Sequence, residues 1–141
     1  PANEPDIAYA HLFSYFRGEE WRTQKETQRL LDKYFTTKPN GIPGNDDTGT
    51  MSAWAIFNMI GFYPDCPGLP EYTLTTPVFN KVTIRLDPKW YKEKELVIES
   101  NRTQPGTLYI NKVLLNGKKF NQYRITHDEL VHSQRILFDL K

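Results

Sequence analysis

Eleven residues, Thr50 to Ile60, set the strongest constraint on the fold. They are bracketed by Gly49 and Gly61, and Met51, Ala53, Trp54, Ala55, Ile56, Phe57, Met59 and Ile60 leave almost no polar face. A helix that is apolar nearly all round belongs in an interior, so this one is expected to be buried on all sides. Two further helices are expected before it. Asp6 is placed to cap one from about Ile7 to Phe16, closed by Gly18, with Ala8, Leu12 and Tyr15 on one face. The other is expected from about Trp21 to Phe35, striped by Trp21, Leu30, Leu31 and Tyr34. Three helices cannot enclose the third of their number, so it implies partner surface that this chain does not obviously supply.

After Pro64-Asp65-Cys66-Pro67-Gly68 the period changes from helical to alternating. Val82, Ile84 and Leu86 alternate with Thr83 and Arg85, and Leu96 and Ile98 with Val97 and Glu99. Leu108, Ile110 and Val113 lead into an Asn116-Gly117 hairpin signal. Residues 120–125 and 136–140 read as two more strands, separated by the polar stretch 126–134. The expectation is therefore an α+β chain, with helices over residues 1–70 and a mostly antiparallel sheet over 71–141.

The segment joining the second and third helices carries the chemistry. Gly41, Pro43 and Gly44 force a tight exposed backbone, and Asn45, Asp46 and Asp47 follow at once. Such a mount suits acid/base work or a hard cation. It departs from the EF-hand pattern, because Ile56 stands where the bidentate glutamate belongs. The plainer reading is that Asp46 and Asp47 cap the third helix and meet its dipole. Asn3-Glu4-Pro5 is a second polar cluster, equally readable as a helix lead-in.

Other classes recede. The net charge of +1 gives no argument for nucleic acid or an anionic membrane as partner. No run of apolar residues is long enough to span a bilayer. Cys66 is the single cysteine, which excludes an internal disulfide, and it reads as a packed turn residue. His11, His127 and His132 have no metal-ligand spacing and are expected to be structural or solvent-facing.

The stretch GIPGNDDTGTMSAWAIFNMIGFYPDCPG, preceded by NEPD and followed by EYTLTTPVFNKVTIRL and LLNGKKF, resembles the C-terminal part of the calcium-dependent exo-α-mannosidases of glycoside hydrolase family 92. The similarity covers nearly the whole chain. It implies an enzyme with an N-terminal β-sandwich and an (α/α)6 barrel to which residues 1–70 contribute helices, with a β-rich region over 71–141. It also implies an exported protein, secreted, periplasmic or at the cell surface, that removes terminal mannose from glycans with inversion. By position, Asp47 is implied as general base, with Asn45 in a supporting catalytic role and Asp46 holding the loop or touching substrate or metal. Asn3 and Glu4 are implied in mannose or calcium contact, so that the calcium donors on this chain would be Glu4, Asn45 and Asp47. The general acid belongs to an earlier segment that finds no match here. The chain is then expected to need the preceding part of the enzyme and to be inactive alone. The alternative is a carbohydrate-binding or supporting module, for which Trp90, Tyr91, Tyr109 and Tyr123 are the sheet aromatics, irregularly spaced.

Overall fold

A computed structural model describes residues 4–141, with the backbone alone at Glu4. Short 3-10 segments at Glu4–Asp6 and Tyr9–Tyr15 precede helix α1 (Glu20–Tyr34) and helix α2 (Thr50–Ile60). Strands β1 (Phe62–Tyr63), β2 (Glu71–Leu74), β3 (Lys81–Arg85), β4 (Glu95–Arg102), β5 (Ile110–Leu115), β6 (Lys118–Phe120) and β7 (Arg124–Thr126) follow. A one-turn helix α3 (His127–Val131) and strand β8 (Arg135–Leu140) complete the order.

The strands form two sheets. β1, β2 and β7 pair antiparallel in a small one, and a five-stranded sheet runs β3-β4-β8-β5-β6. Most of its pairs are antiparallel, but β4 and β8 run parallel from Val97–Arg135 to Arg102–Leu140. The second half is thus mostly antiparallel, as expected, with one parallel pair at the centre of the large sheet. A parallel pair needs a long return connection, and residues 103–134 provide one that local alternation does not reveal. The alternation itself is realised: Leu96, Ile98, Ile136, Phe138 and Leu140 are buried and form the main core with Phe62, Leu74 and Ile125.

The helical expectations fare unevenly. α2 has the expected bounds, because glycine stands in the left-handed region at both ends. At Gly61 (φ 119°) a Cβ would also lie 2.8 Å from the Pro77 ring. Its burial is incomplete: Trp54 and Met51 are fully enclosed, but Ile56 is 53% exposed. The first expected helix is a 3-10 segment instead, with Ala8 at its cap and no side-chain hydrogen bond there. Its buried residues are Ala10 and His11, while Leu12 and Tyr15 face outward. α1 is also turned from its expected stripe. It buries Thr23, Gln24, Thr27 and Leu31 and leaves Trp21 and Tyr34 exposed.

Long-range polar ties account for that rotation, since a buried polar group must find a partner. Gln24 Oε1 accepts from the Ile110 backbone N–H at 2.9 Å, which fixes α1 to the end of β5. His11 Nε2 meets Asn58 Oδ1 at 2.9 Å, and the Asn58 amide donates to the Trp54 carbonyl. The Asn58 oxygen therefore accepts, and the His11 Nε2 must carry the proton. Burial pushes this imidazole below its ordinary pKa, against the Asn58 hydrogen bond that favours the charged form. His11 also stacks on Tyr63 at 4.5 Å, so its role is structural.

A second knot joins the 3-10 segment to the small sheet. The Arg124 guanidinium spans both oxygens of Asp65 at 3.3 Å, donates to Thr73 Oγ1 at 2.9 Å, and lies over the Tyr15 ring at 4.4 Å. Thr73 in turn donates to Asp65 at 2.8 Å. These groups hold the turn after β1 against β2 and β7.

Candidate active-site loop

Residues 41–49 leave the C-terminal end of α1 and return directly into α2. The Thr36 N–H donates to the Gly41 carbonyl and the Gly41 N–H to the Lys38 carbonyl, each at 2.9 Å. A Cβ at Gly41 would collide with the Thr36 carbonyl, so only glycine closes this turn. Next come two non-glycine residues at positive φ, Asp47 at 47° and Thr48 at 60°, and then Gly49 at 95°. The left-handed region is uncommon for ordinary residues and unusual for a β-branched one such as Thr48. Backbone of this kind persists where its surroundings dictate it, and it concentrates at functional sites.

The three acceptors take different places. Asp46 is half-buried, and its Oδ1 accepts from the Ser52 N–H at 2.8 Å, while its carbonyl accepts from Met51. Since the cap position is Gly49 and has no side chain, Asp46 supplies the capping carboxylate from outside the helix. Asp47 uses only its backbone carbonyl toward the helix, accepting from the Thr50 N–H and from Thr50 Oγ1 at 2.8 Å. Its carboxylate is exposed and has no protein partner among the described residues, and the same holds for the Asn45 side chain. The capping reading is correct for Asp46 and does not extend to the Asp47 side chain.

We expect Asp46→Ala to cost about 1 kcal/mol of stability through the lost cap. Urea unfolding checks this, and unchanged stability would mean that the helix does not need the cap.

Asn3 lies outside the described residues and so does the side chain of Glu4. Their neighbours are informative. The Trp54 indole donates to the Ile7 carbonyl at 2.9 Å, which ties α2 to the segment just after Glu4-Pro5-Asp6. Asp6, Tyr9 and Phe13 from that segment, Arg29 and Tyr34 from α1, and Pro43 from the loop line one open depression of about 520 Å³. The depression is of a size suited to a small ligand, and Asp6 and Pro43 line it, whereas Asn45, Asp46 and Asp47 do not. Arg29 is paired along α1 with Glu26 at 2.7 Å. The sequence pattern did not bring Tyr9 and Arg29 together, and it read Tyr34 as part of an apolar stripe, because their convergence depends on the packing of the 3-10 segment on α1.

The full length of the chain, residues 1–141, matches the glycosyl hydrolase family 92 catalytic domain. The chain belongs to glycosyl hydrolase family 92. A family 92 α-mannosidase of Bacteroides thetaiotaomicron, solved in complex with mannoimidazole, is 31% identical, with a TM-score of 0.89 over 99% of this chain and 18% of that one. A family 92 inverting mannosidase of the same organism is 34% identical, with a TM-score of 0.85 over 100% of this chain and 18% of that one. An uncharacterized secreted glycosidase of Arthroderma benhamiae is 29% identical over 126 residues, which are 89% of this chain and 16% of the relative. The family 92 chain described here thus spans less than a fifth of the length of these relatives. Its α+β arrangement matches the corresponding part of the solved family members, and the helices present do not by themselves close a barrel. No helix among the described residues is long and apolar enough to cross a membrane.

Proposed function

We propose that this chain supplies the general-base side of the active site in an exo-acting α-mannosidase that hydrolyses with inversion. One observation carries the reading: of two adjacent carboxylates, Asp46 is committed to holding the helix, and Asp47 is left unpaired on a strained, rigid mount. A general base needs such freedom to accept a proton together with fixed placement. Solved relatives described as an α-mannosidase and as an inverting mannosidase support the substrate and the stereochemistry.

In this mechanism the Asp47 carboxylate takes a proton from water as the water attacks the anomeric carbon. A carboxylic acid on the opposite face protonates the departing oxygen. Inversion requires the two carboxyl groups to stand roughly 6.5–9.5 Å apart, with the water between one of them and the sugar. Asp46 cannot be that acid, being sequence-adjacent and engaged with Ser52. The acid comes from another part of the longer enzyme. In this reading Asn45 orients the water or a sugar hydroxyl, and Asn3 and Glu4 contact mannose.

Calcium is part of the proposal as a shared site. Asn45 and Asp47 are hard oxygen donors, with Glu4 as a further one, but calcium takes six to eight oxygens. Among the described residues no three His, Cys, Asp or Glu side chains group closely enough to hold a metal ion. These residues do not fit a complete calcium site, and no step above is routed through the ion. Export from the cell is supported by the secreted Arthroderma relative.

Proton NMR of the first product tests the reaction. The full-length enzyme is expected to release β-mannose from a terminal α-mannoside before mutarotation, and the isolated chain to release none. Calorimetry on the isolated chain should show no calcium binding tighter than about 10⁻³ M, the weak end for protein sites. Initial release of α-mannose, or turnover by the 141 residues alone, overturns the proposal. So does tight calcium binding that Asp47→Ala leaves intact.

A further inference from the structure

A second concavity lies where the N-terminal end of α1 meets the large sheet, and it has no part in the reaction proposed above. Trp21, Tyr109 and Tyr123 wall a notch of about 390 Å³, with Gln24 at its base and Lys141 at its rim. The Trp21 and Tyr109 rings meet edge to face at 6.2 Å. The notch lies at the N-terminal end of α1, and at 1.5 Å per residue the 13 steps from Trp21 to Tyr34 put the other end of that helix about 20 Å away.

Three aromatic side chains elsewhere use their polar atoms within the fold: the Trp54 indole on Ile7, and the Tyr72 and Tyr91 hydroxyls on His127. At the notch, the Trp21 N–H and the Tyr109 and Tyr123 hydroxyls have no protein partner among the described residues. Gln24 is only 2% exposed, and its oxygen is fixed by the Ile110 N–H. That bond orients the amide, whose nitrogen likewise has no partner among the described residues. The nitrogen is not an enclosed orphan but opens onto the cavity, where it is free to donate to water or to a ligand acceptor.

Apolar ring faces beside unspent O–H and N–H groups match the two sides of a pyranose ring, one carrying C–H groups and the other hydroxyls. Arg22 and Lys25 sit over the Trp21 ring at 5.4 and 5.9 Å, which occupies its face and leaves the two tyrosines as the stacking surface. We propose that this notch is a secondary saccharide-binding site that holds one neutral hexopyranose unit of a glycan away from the catalytic loop. The choice of saccharide rests on the mannosidase reading. Its consequence is retention of extended glycans without any change in the chemical step on a small mannoside.

The test uses the full-length enzyme carrying Asp47→Asn, so that ligand is not consumed, titrated by calorimetry with an α-linked mannotetraose. Adding Tyr109→Ala and Tyr123→Ala is expected to remove or weaken one binding event about tenfold. The milder pair Tyr109→Phe and Tyr123→Phe, which keeps the rings, should weaken the same event severalfold. Unchanged affinity and stoichiometry in both pairs overturns the site, and the Phe pair decides if the Ala pair does not fold. Hydrolysis of an aryl α-mannoside with Asp47 restored is measured separately, and the tyrosine variants should keep kcat within about twofold. Absence of that hydrolysis in the unsubstituted enzyme defeats the mannosidase reading, while the notch is still judged by the titration.

Discussion

Asp47→Asn in the full-length enzyme is expected to lower kcat on a terminal α-mannoside by about 10²–10⁴-fold, the range for loss of a positioned general acid or base. The fold should not notice. The carboxylate is exposed and makes no hydrogen bond among the described residues, and surface changes of that kind usually move stability by no more than about 0.5 kcal/mol. The amide keeps the shape and leaves the backbone carbonyl that Thr50 uses. Asparagine also tolerates the left-handed region that Asp47 occupies, so the mount survives the change. Kinetics and thermal unfolding on the same samples separate chemistry from folding. Retention of activity within about threefold would remove Asp47 from the reaction, since a residue acting as general base cannot be dispensed with so cheaply.

Arg124→Ala is expected to have the largest effect on stability, a loss of about 3 kcal/mol. The reason lies with the partner left behind. The Asp65 side chain is 1% exposed, and Arg124 is its only basic contact among the described residues. An uncompensated buried carboxylate costs far more than a surface pair is worth, and Thr73 alone cannot replace a bidentate guanidinium. The stacking of the guanidinium on Tyr15 is lost as well. Adding Asp65→Asn should recover part of the loss by removing the stranded charge. Urea unfolding of the single and double variants measures both numbers. A single-variant loss below about 1 kcal/mol would mean that water or another cation serves Asp65.

Where the sequence carried local instructions, the structure obeys them. Gly49 and Gly61 fix the ends of α2, and Asn116-Gly117 turns the β5–β6 hairpin with both residues at positive φ. What local pattern could not disclose is pairing across distance. The face that α1 buries is decided by Gln24 meeting Ile110, 86 residues away, and that contact overrides an apolar stripe. The parallel partner of β4 comes 33 residues after its end. One local signal was overlooked: Thr126 and Glu129 are spaced as a capping box, and they nucleate α3 within what reads as a polar connection. At the candidate site, the Gly-rich loop and its acceptors were visible, and the family resemblance placed a role on Asp47. The separation of Asp46 from Asp47 was not visible, because it depends on which of two neighbouring carboxylates the backbone turns toward Ser52.

The position of β8 in the large sheet has a consequence for biosynthesis. It is last of the eight strands in sequence, yet it lies between β4 and β5, so the β3–β4 and β5–β6 hairpins share no edge until it is inserted. A ribosome delivers those hairpins first, and each must wait with an open edge while residues 135–140 are still in the exit tunnel. Open edges invite pairing with other nascent chains. Charged side chains at Lys81, Arg85, Lys118 and Lys119 guard the outer strands β3 and β6, whose edges stay open in the finished sheet, and not the β4 and β5 edges that await β8.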